Sequence, residues 1–113
     1  MINLFGSKTG AKSISPKEAK SRMETDKSIL LIDVRTPEEY REVHIPHSIS
    51  VPLDNLKTKI EKVSPNKETE LFIYCRSGAR ASTACTELVK MGYTNVHNLG
   101  GIMSWPFETE RGK

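Results

Sequence analysis

The sequence is poor in cysteine, with two in 113 residues, and in aromatics, which make up 6%. Two cysteines make no disulfide framework. If Cys75 and Cys85 both lie at or beyond the start of one helix, they are too far apart along it to bond without distortion. Long apolar runs are missing as well. Stretches such as Ile29-Leu30-Leu31-Ile32 are far too short to span a bilayer, so no membrane association is expected. The opening MINLFGSKTGAK has no basic segment followed by an apolar stretch of signal-peptide length, and a cytoplasmic location is expected. The six prolines and seven glycines are dispersed, which excludes a low-complexity tract, and no internal repeat is visible. Nor does one sign of charge dominate, since 17 basic residues face 14 acidic ones for a net charge of +3. The lysines and arginines are scattered and not clustered with aromatics, which argues against a nucleic-acid surface. Any anion site must therefore be built locally.

What remains is one domain of ordinary size with 36% apolar and 27% charged residues, enough for a single core. Ser15-Pro16-Lys17-Glu18 has the form of a capping box with proline at the first helical position, predicting a helix to about Met23. Ile29 to Val34 is an apolar run of strand length, and Thr36-Pro37-Glu38-Glu39 opens a short helix through Val43. A short strand follows over Ile49 to Val51. Leu53, Leu56, Ile60 and Val63 then recur at helical spacing. Leu71 to Tyr74 reads as a buried strand. Ala81, Ala84, Cys85, Leu88 and Met91 form one helical stripe, with Gly92 as its C-terminal cap. Asn95 to Asn98 reads as a last strand, followed by Gly100-Gly101 and a helical turn carrying Trp105. Short apolar strands alternating with helices predict an α/β fold with a mainly parallel sheet covered on both faces. Ligands of such sheets sit beyond the carboxyl ends of the strands, where Cys75 falls.

The loop after that strand, Cys75-Arg76-Ser77-Gly78-Ala79-Arg80, has the composition of an anion cradle. A tight strand-to-helix loop turns successive N–H groups inward, and the helix adds its own unpaired N–H groups and positive dipole end. Gly78 lets the backbone bend, Ser77 is small and can donate, and Arg76 and Arg80 bring permanent positive charge. Such a loop favours a sulfur anion, thiolate or persulfide. Arg-Ser-Gly directly after Cys75 also argues against an apolar, buried setting for the thiol.

LLIDVRTPEEYREVHIPHSISVP, IYCRSGARAS and NLGGIMSW together resemble a single rhodanese-like domain. The likeness runs from about residue 13 to about residue 107. Asp-Val-Arg, Pro-Glu-Glu-Tyr, His-Ile-Pro, Cys-Arg-Ser-Gly and Gly-Gly-x-x-x-Trp occur in the family's order. The division implied is an N-terminal extension over 1–12, the domain over 13–107 and a tail over 108–113. The resemblance also implies a central sheet of about five short, mainly parallel strands and the activity of a thiosulfate sulfurtransferase. By this match Cys75 is the catalytic sulfur carrier, and Arg76, Ser77, Gly78, Ala79 and Arg80 bind a small anionic donor such as thiosulfate. The sulfane sulfur then passes to cyanide or to a protein thiol, and no cofactor is implied. The sequence departs from the family where Val43, His47 and Ser48 replace Gly, Gly and Ala of Gly-His-Ile-Pro-Gly-Ala. Histidine at position 47 is expected to alter the backbone or the rim of that connection.

Rival readings meet specific obstacles. A phosphatase of the related cell-cycle type needs five residues between cysteine and arginine. Four separate Cys75 from Arg80, and Ala81 stands where the arginine would be. Arsenate reduction by a similar loop is a minor variant of that reading. A regulatory rhodanese module would often lack the cysteine, so that reading survives as a relay that hands sulfur between protein partners. Cys85 sits on the apolar stripe and reads as core, not as a resolving thiol. His44 and His47 have no third ligand at metal spacing, so no metal is expected. Asp33 and Arg35 read as a structural pair, Glu38 and Glu39 as helix N-terminal acids, and Trp105 as a core anchor. Lys57, Lys59, Lys62 and Lys67 read as a solvated face.

Overall fold

A computed structural model describes residues 11–112. Of the expected N-terminal extension only Ala11 and Lys12 fall among them; the rest lies outside the described residues. The chain runs β1 (Lys12–Ser13), α1 (Pro16–Thr25), β2 (Leu30–Asp33), α2 (Pro37–Glu42), β3 (Ile49–Ser50), α3 (Leu56–Val63), β4 (Leu71–Cys75), α4 (Ala79–Lys90) and β5 (Val96–Gly101). Short 3-10 turns occupy Leu53–Asn55 and Ile102–Ser104. All strand pairs are parallel, in the order β1-β5-β4-β2-β3. From β2 the chain moves outward to β3, then returns to the other side of β2 as β4 and continues to β5. The order therefore reverses between β2 and β4, and Asp33 and Cys75 stand at the carboxyl edge of that switch point.

Local chemistry starts these helices where the sequence signals them. Ser15 Oγ accepts from the Glu18 N–H at 3.1 Å, and Thr36 with Glu39 completes a reciprocal capping box ahead of α2. Helix α1 runs to Thr25, two residues beyond Met23, and the Asp26 N–H closes its last turn onto the Arg22 carbonyl. The largest departure from the sequence reading is β5, which extends through Gly100 and Gly101 in place of stopping at Asn98. The β4–β5 register slips between Ile73 and Tyr74, so Tyr74 faces Gly100 and Cys75 faces Gly101. An irregularity of this kind re-aims a strand end, and pattern reading cannot anticipate it.

Side chains alternate cleanly along β4 with the period of two that a strand imposes. Leu71, Ile73 and Cys75 join the core beneath α3 and α4, together with Ile32, Leu56, Ile60, Ala81, Ala84, Cys85 and Leu88. Phe72 and Tyr74 face the opposite way into a second cluster with Ala19 of α1, Leu31, Ile45 and Leu99. Trp105 packs at the margin of this second cluster, half-buried, with its indole N–H donating to the Glu108 carbonyl at 3.1 Å. His47 carries φ of 71°, the one non-glycine residue with positive φ among the described residues. The histidine thus holds a backbone conformation that favours glycine, and the strain is local to the turn before β3.

The carboxyl end of β2 is tied by a buried ion pair. Arg35, 3% exposed, donates to both oxygens of Asp33, which is fully buried, and its Nη2 also reaches the Val43 carbonyl at 2.6 Å. Asp33 Oδ1 accepts the Arg35 backbone N–H at 2.8 Å as well. Removing one member leaves the other charged and unpaired in the interior. Asp33→Ala is expected to lower the unfolding free energy by about 3–5 kcal/mol, to be read from urea denaturation followed by circular dichroism.

Candidate active site

Cys75 ends β4 and Ala79 begins α4, so Arg76, Ser77 and Gly78 make the whole turn. Gly78 is the residue before the helix and has φ of 118°, which an L side chain rarely adopts. That conformation brings its N–H onto Cys75 Sγ at 3.0 Å, and the Ala81 N–H in the first turn of α4 reaches the same sulfur at 3.3 Å. Two main-chain donors from one loop thus converge on one side-chain atom. The N–H groups of Ser77, Ala79 and Arg80 find no acceptor among the described residues.

Burial of Cys75 corrects the sequence reading. The residue is 1% exposed, not open at the mouth of the loop. The argument from its polar neighbours fails because Arg76 and Ser77 are exposed while Cys75 itself joins the core and the Gly78 and Ala81 N–H groups bond its sulfur. A polar group can be buried when its hydrogen bonds are made, and here the loop supplies them.

The loop is held from the far side by β5. A Cβ on Gly101 would lie 2.2 Å from the Arg76 carbonyl oxygen and 2.6 Å from Ser77 Cα, distances at which backbone must move. The Met103 N–H donates to that same Arg76 carbonyl at 3.2 Å. Asn98 ties β5 to α4 by donating to Ser82 Oγ at 3.1 Å, while its Oδ1 accepts the Gly100 N–H within the strand at 2.8 Å. Beneath the cradle, the Tyr74 hydroxyl accepts the Ile45 N–H and pairs with Ser48 Oγ, each at 3.1 Å. Burial and the nearby Asp33 carboxylate push the Tyr74 hydroxyl up, so it stays neutral.

The two loop arginines part company. Arg76 is exposed, and its guanidinium has no partner among the described residues. Arg80, expected to help meet a donor, makes a two-pronged bond to Glu39, Nη1 to Oε1 at 2.8 Å and Nη2 to Oε2 at 3.0 Å. The Arg80 guanidinium is the main reason the Glu39 carboxyl falls to about 2. Glu39 Oε1 also accepts the Thr36 N–H at 2.9 Å, so one carboxylate caps α2 and restrains α4. Cys85 lies in the core on the helix that covers Cys75, and burial pushes its thiol up to about 12. A thiol held protonated in this way is a poor attacking group. Glu39, Asn98 and Gly101 escaped the sequence reading as site residues. The first looks like any helix N-terminal acid and the other two lie on a different strand, so only the tertiary arrangement reveals them.

A model of the rhodanese-like domain matches residues 15–107. The chain belongs to the rhodanese-like domain family. This rhodanese-like domain is 36% identical over 93 residues to a sulfurtransferase of Allochromatium vinosum, with 81% of this chain and 85% of that protein covered. It is 39% identical over 71 residues to the thiosulfate sulfurtransferase PspE of Escherichia coli, with 63% and 68% covered. Among solved structures, a rhodanese with anions from E. coli superposes with a TM-score of 0.67 at 34% identity, covering 74% of this chain and 99% of that one.

The Gly101 contact yields a direct test. Gly101→Ala must displace the Arg76–Ser77 backbone, which is expected to cost about 1–3 kcal/mol of stability. It should also change the alkylation rate of Cys75 by iodoacetamide in protein that is still folded. Unchanged alkylation with unchanged stability would show that β5 does not support the loop.

Proposed function

We propose that this chain is a sulfurtransferase that moves a sulfane sulfur from a donor such as thiosulfate to a thiophilic acceptor, cyanide or a thiol, through a persulfide on Cys75. The observation that carries this reading is the convergence of the Gly78 and Ala81 N–H groups on Cys75 Sγ. Donors aimed at the sulfur itself, not at a ring of surrounding oxygens, suit an atom that is anionic as the thiolate that opens the first half-reaction and is regenerated by the second.

In the first half, the Cys75 thiolate attacks the outer sulfur of thiosulfate. The new S–S bond forms as the S–S bond of the donor breaks, and sulfite leaves with the electron pair. The persulfide keeps one negative charge on its terminal sulfur, at the positive end of α4. In the second half, cyanide attacks that terminal sulfur, thiocyanate departs, and the thiolate returns to Gly78 and Ala81. No proton need be transferred and no oxidant is consumed. Burial favours a donor with a slender terminal atom, because Cys75 as a residue is 1% exposed. Arg76, exposed and unpaired, stands at the rim where an anionic donor would pass. The two sulfurtransferase relatives support the same reaction class.

Cys75→Ser is expected to abolish thiosulfate:cyanide sulfur transfer while leaving the circular dichroism spectrum and unfolding midpoint essentially unchanged. Mass spectrometry of wild-type protein should show the Cys75 peptide gaining one sulfur with thiosulfate and losing it with cyanide. Transfer that persists in the serine variant would refute the persulfide. Arg76→Glu should raise the KM for thiosulfate severalfold with a smaller effect on kcat, measured by steady-state thiocyanate formation.

A further inference from the structure

The same loop that offers two guanidinium groups in sequence offers only one of them freely in space. Arg80 is committed to Glu39 through two charge-assisted bonds in a planar, fork-to-fork geometry. The pair is only partly exposed, at 35% and 27% for the two side chains, so solvent screens it less than a surface ion pair. Glu39 is itself fixed, because Thr36 supplies a backbone N–H and a hydroxyl to Oε1. Arg80 nonetheless belongs to the first turn of α4, next to Ala81, whose N–H bonds Cys75 Sγ. Counting unit charges around the cradle, Arg76 and Arg80 contribute two positives and Glu39 subtracts one.

Resting on the sulfurtransferase reading, we propose that Glu39 is a specificity-determining residue which, by occupying Arg80, biases the cradle toward donors bearing one negative charge over the dianion thiosulfate. Thiosulfate brings two charges and finds one unengaged guanidinium; to recruit the second it must compete with a carboxylate already bonded twice. A monoanionic donor of the same shape, such as an alkyl thiosulfonate, requires no such competition. Its reaction is the same substitution: the Cys75 thiolate takes the outer sulfur, the donor S–S bond breaks, and an alkyl sulfinate leaves with the electron pair where sulfite left before. The carboxylate of Glu39 bonds Arg80 and Thr36, so it acts through Arg80 as a positioning residue.

The test compares kcat/KM for thiosulfate with kcat/KM for methanethiosulfonate, both with cyanide as acceptor. Glu39→Gln is the informative variant, because glutamine at this position still offers a capping oxygen to Thr36 while losing the charge. The ratio of thiosulfate to methanethiosulfonate efficiency is expected to rise about threefold to fivefold, a size suited to freeing one partly exposed charge. The change should sit mainly in the KM for thiosulfate. In Glu39→Gln/Arg80→Met the gain should vanish, since there is no freed guanidinium to use. A purely structural role for the pair would lower both efficiencies together and leave the ratio unchanged. An unchanged or falling ratio in Glu39→Gln of normal circular dichroism, or a gain that survives removal of Arg80, overturns the proposal. If Cys75-dependent transfer is intact while the ratio stays fixed, the failure is of Glu39 alone. If wild-type protein transfers sulfur from neither donor, the sulfurtransferase reading falls and this one with it.

Discussion

Two hydrogen bonds from main-chain amides to one sulfur organise the carboxyl edge of this molecule. Each needs the chain to leave β4, reverse within three residues and start a helix with its N–H groups facing back toward the strand it has just left. Gly78 makes the reversal feasible, and α4 supplies the second donor as part of its own unpaired first turn. The arrangement uses backbone groups that every helix start must satisfy somehow. Side chains are therefore left for steering, which explains why Arg76 can face solvent and Arg80 can be engaged elsewhere without loss of the cradle.

Supports for the loop arrive from three directions. β5 presses Gly101 against the loop backbone, a contact made possible by the register slip that sets Cys75 opposite that glycine. α2 reaches across through Glu39 to the first turn of α4. From below, the Asp33–Arg35 pair and the Tyr74–Ser48–Ile45 bonds fix the connection between β2 and β3 against the end of β4. A buried ion pair adds little net stability over an apolar substitute. Here it also holds the Val43 carbonyl and the Arg35 backbone in one geometry.

Much of this was legible in the residues. Four of the five strands, the alternation of their faces, the side-chain caps of the first two helices and the position of Cys75 at a strand end follow from periodicity and from short-range hydrogen-bond chemistry, which act within a few residues; the two-residue β1 is too short to leave such a pattern. The rest depended on contacts between segments far apart in the chain. Nothing around Arg80 signals that Glu39, 41 residues away, will claim it. Nothing in Asn95-Val96-His97-Asn98 shows that the strand continues through two glycines, because glycines ordinarily signal a stop. The exposure expected for Cys75 failed for a related reason. Composition describes where side chains prefer to be, whereas the bonds made to this sulfur come from backbone.

Enclosure of Cys75 also bears on what the protein ignores. Thiols left in the open are consumed by bulky disulfides and by alkylating and oxidising molecules of many kinds, and an ionised one is consumed faster. Cys75 is 1% exposed and its sulfur is held by two main-chain amides, which shields it from such reagents. Burial of the sulfur-bearing residue thus favours durability in a reactive medium, a property distinct from the rate of turnover.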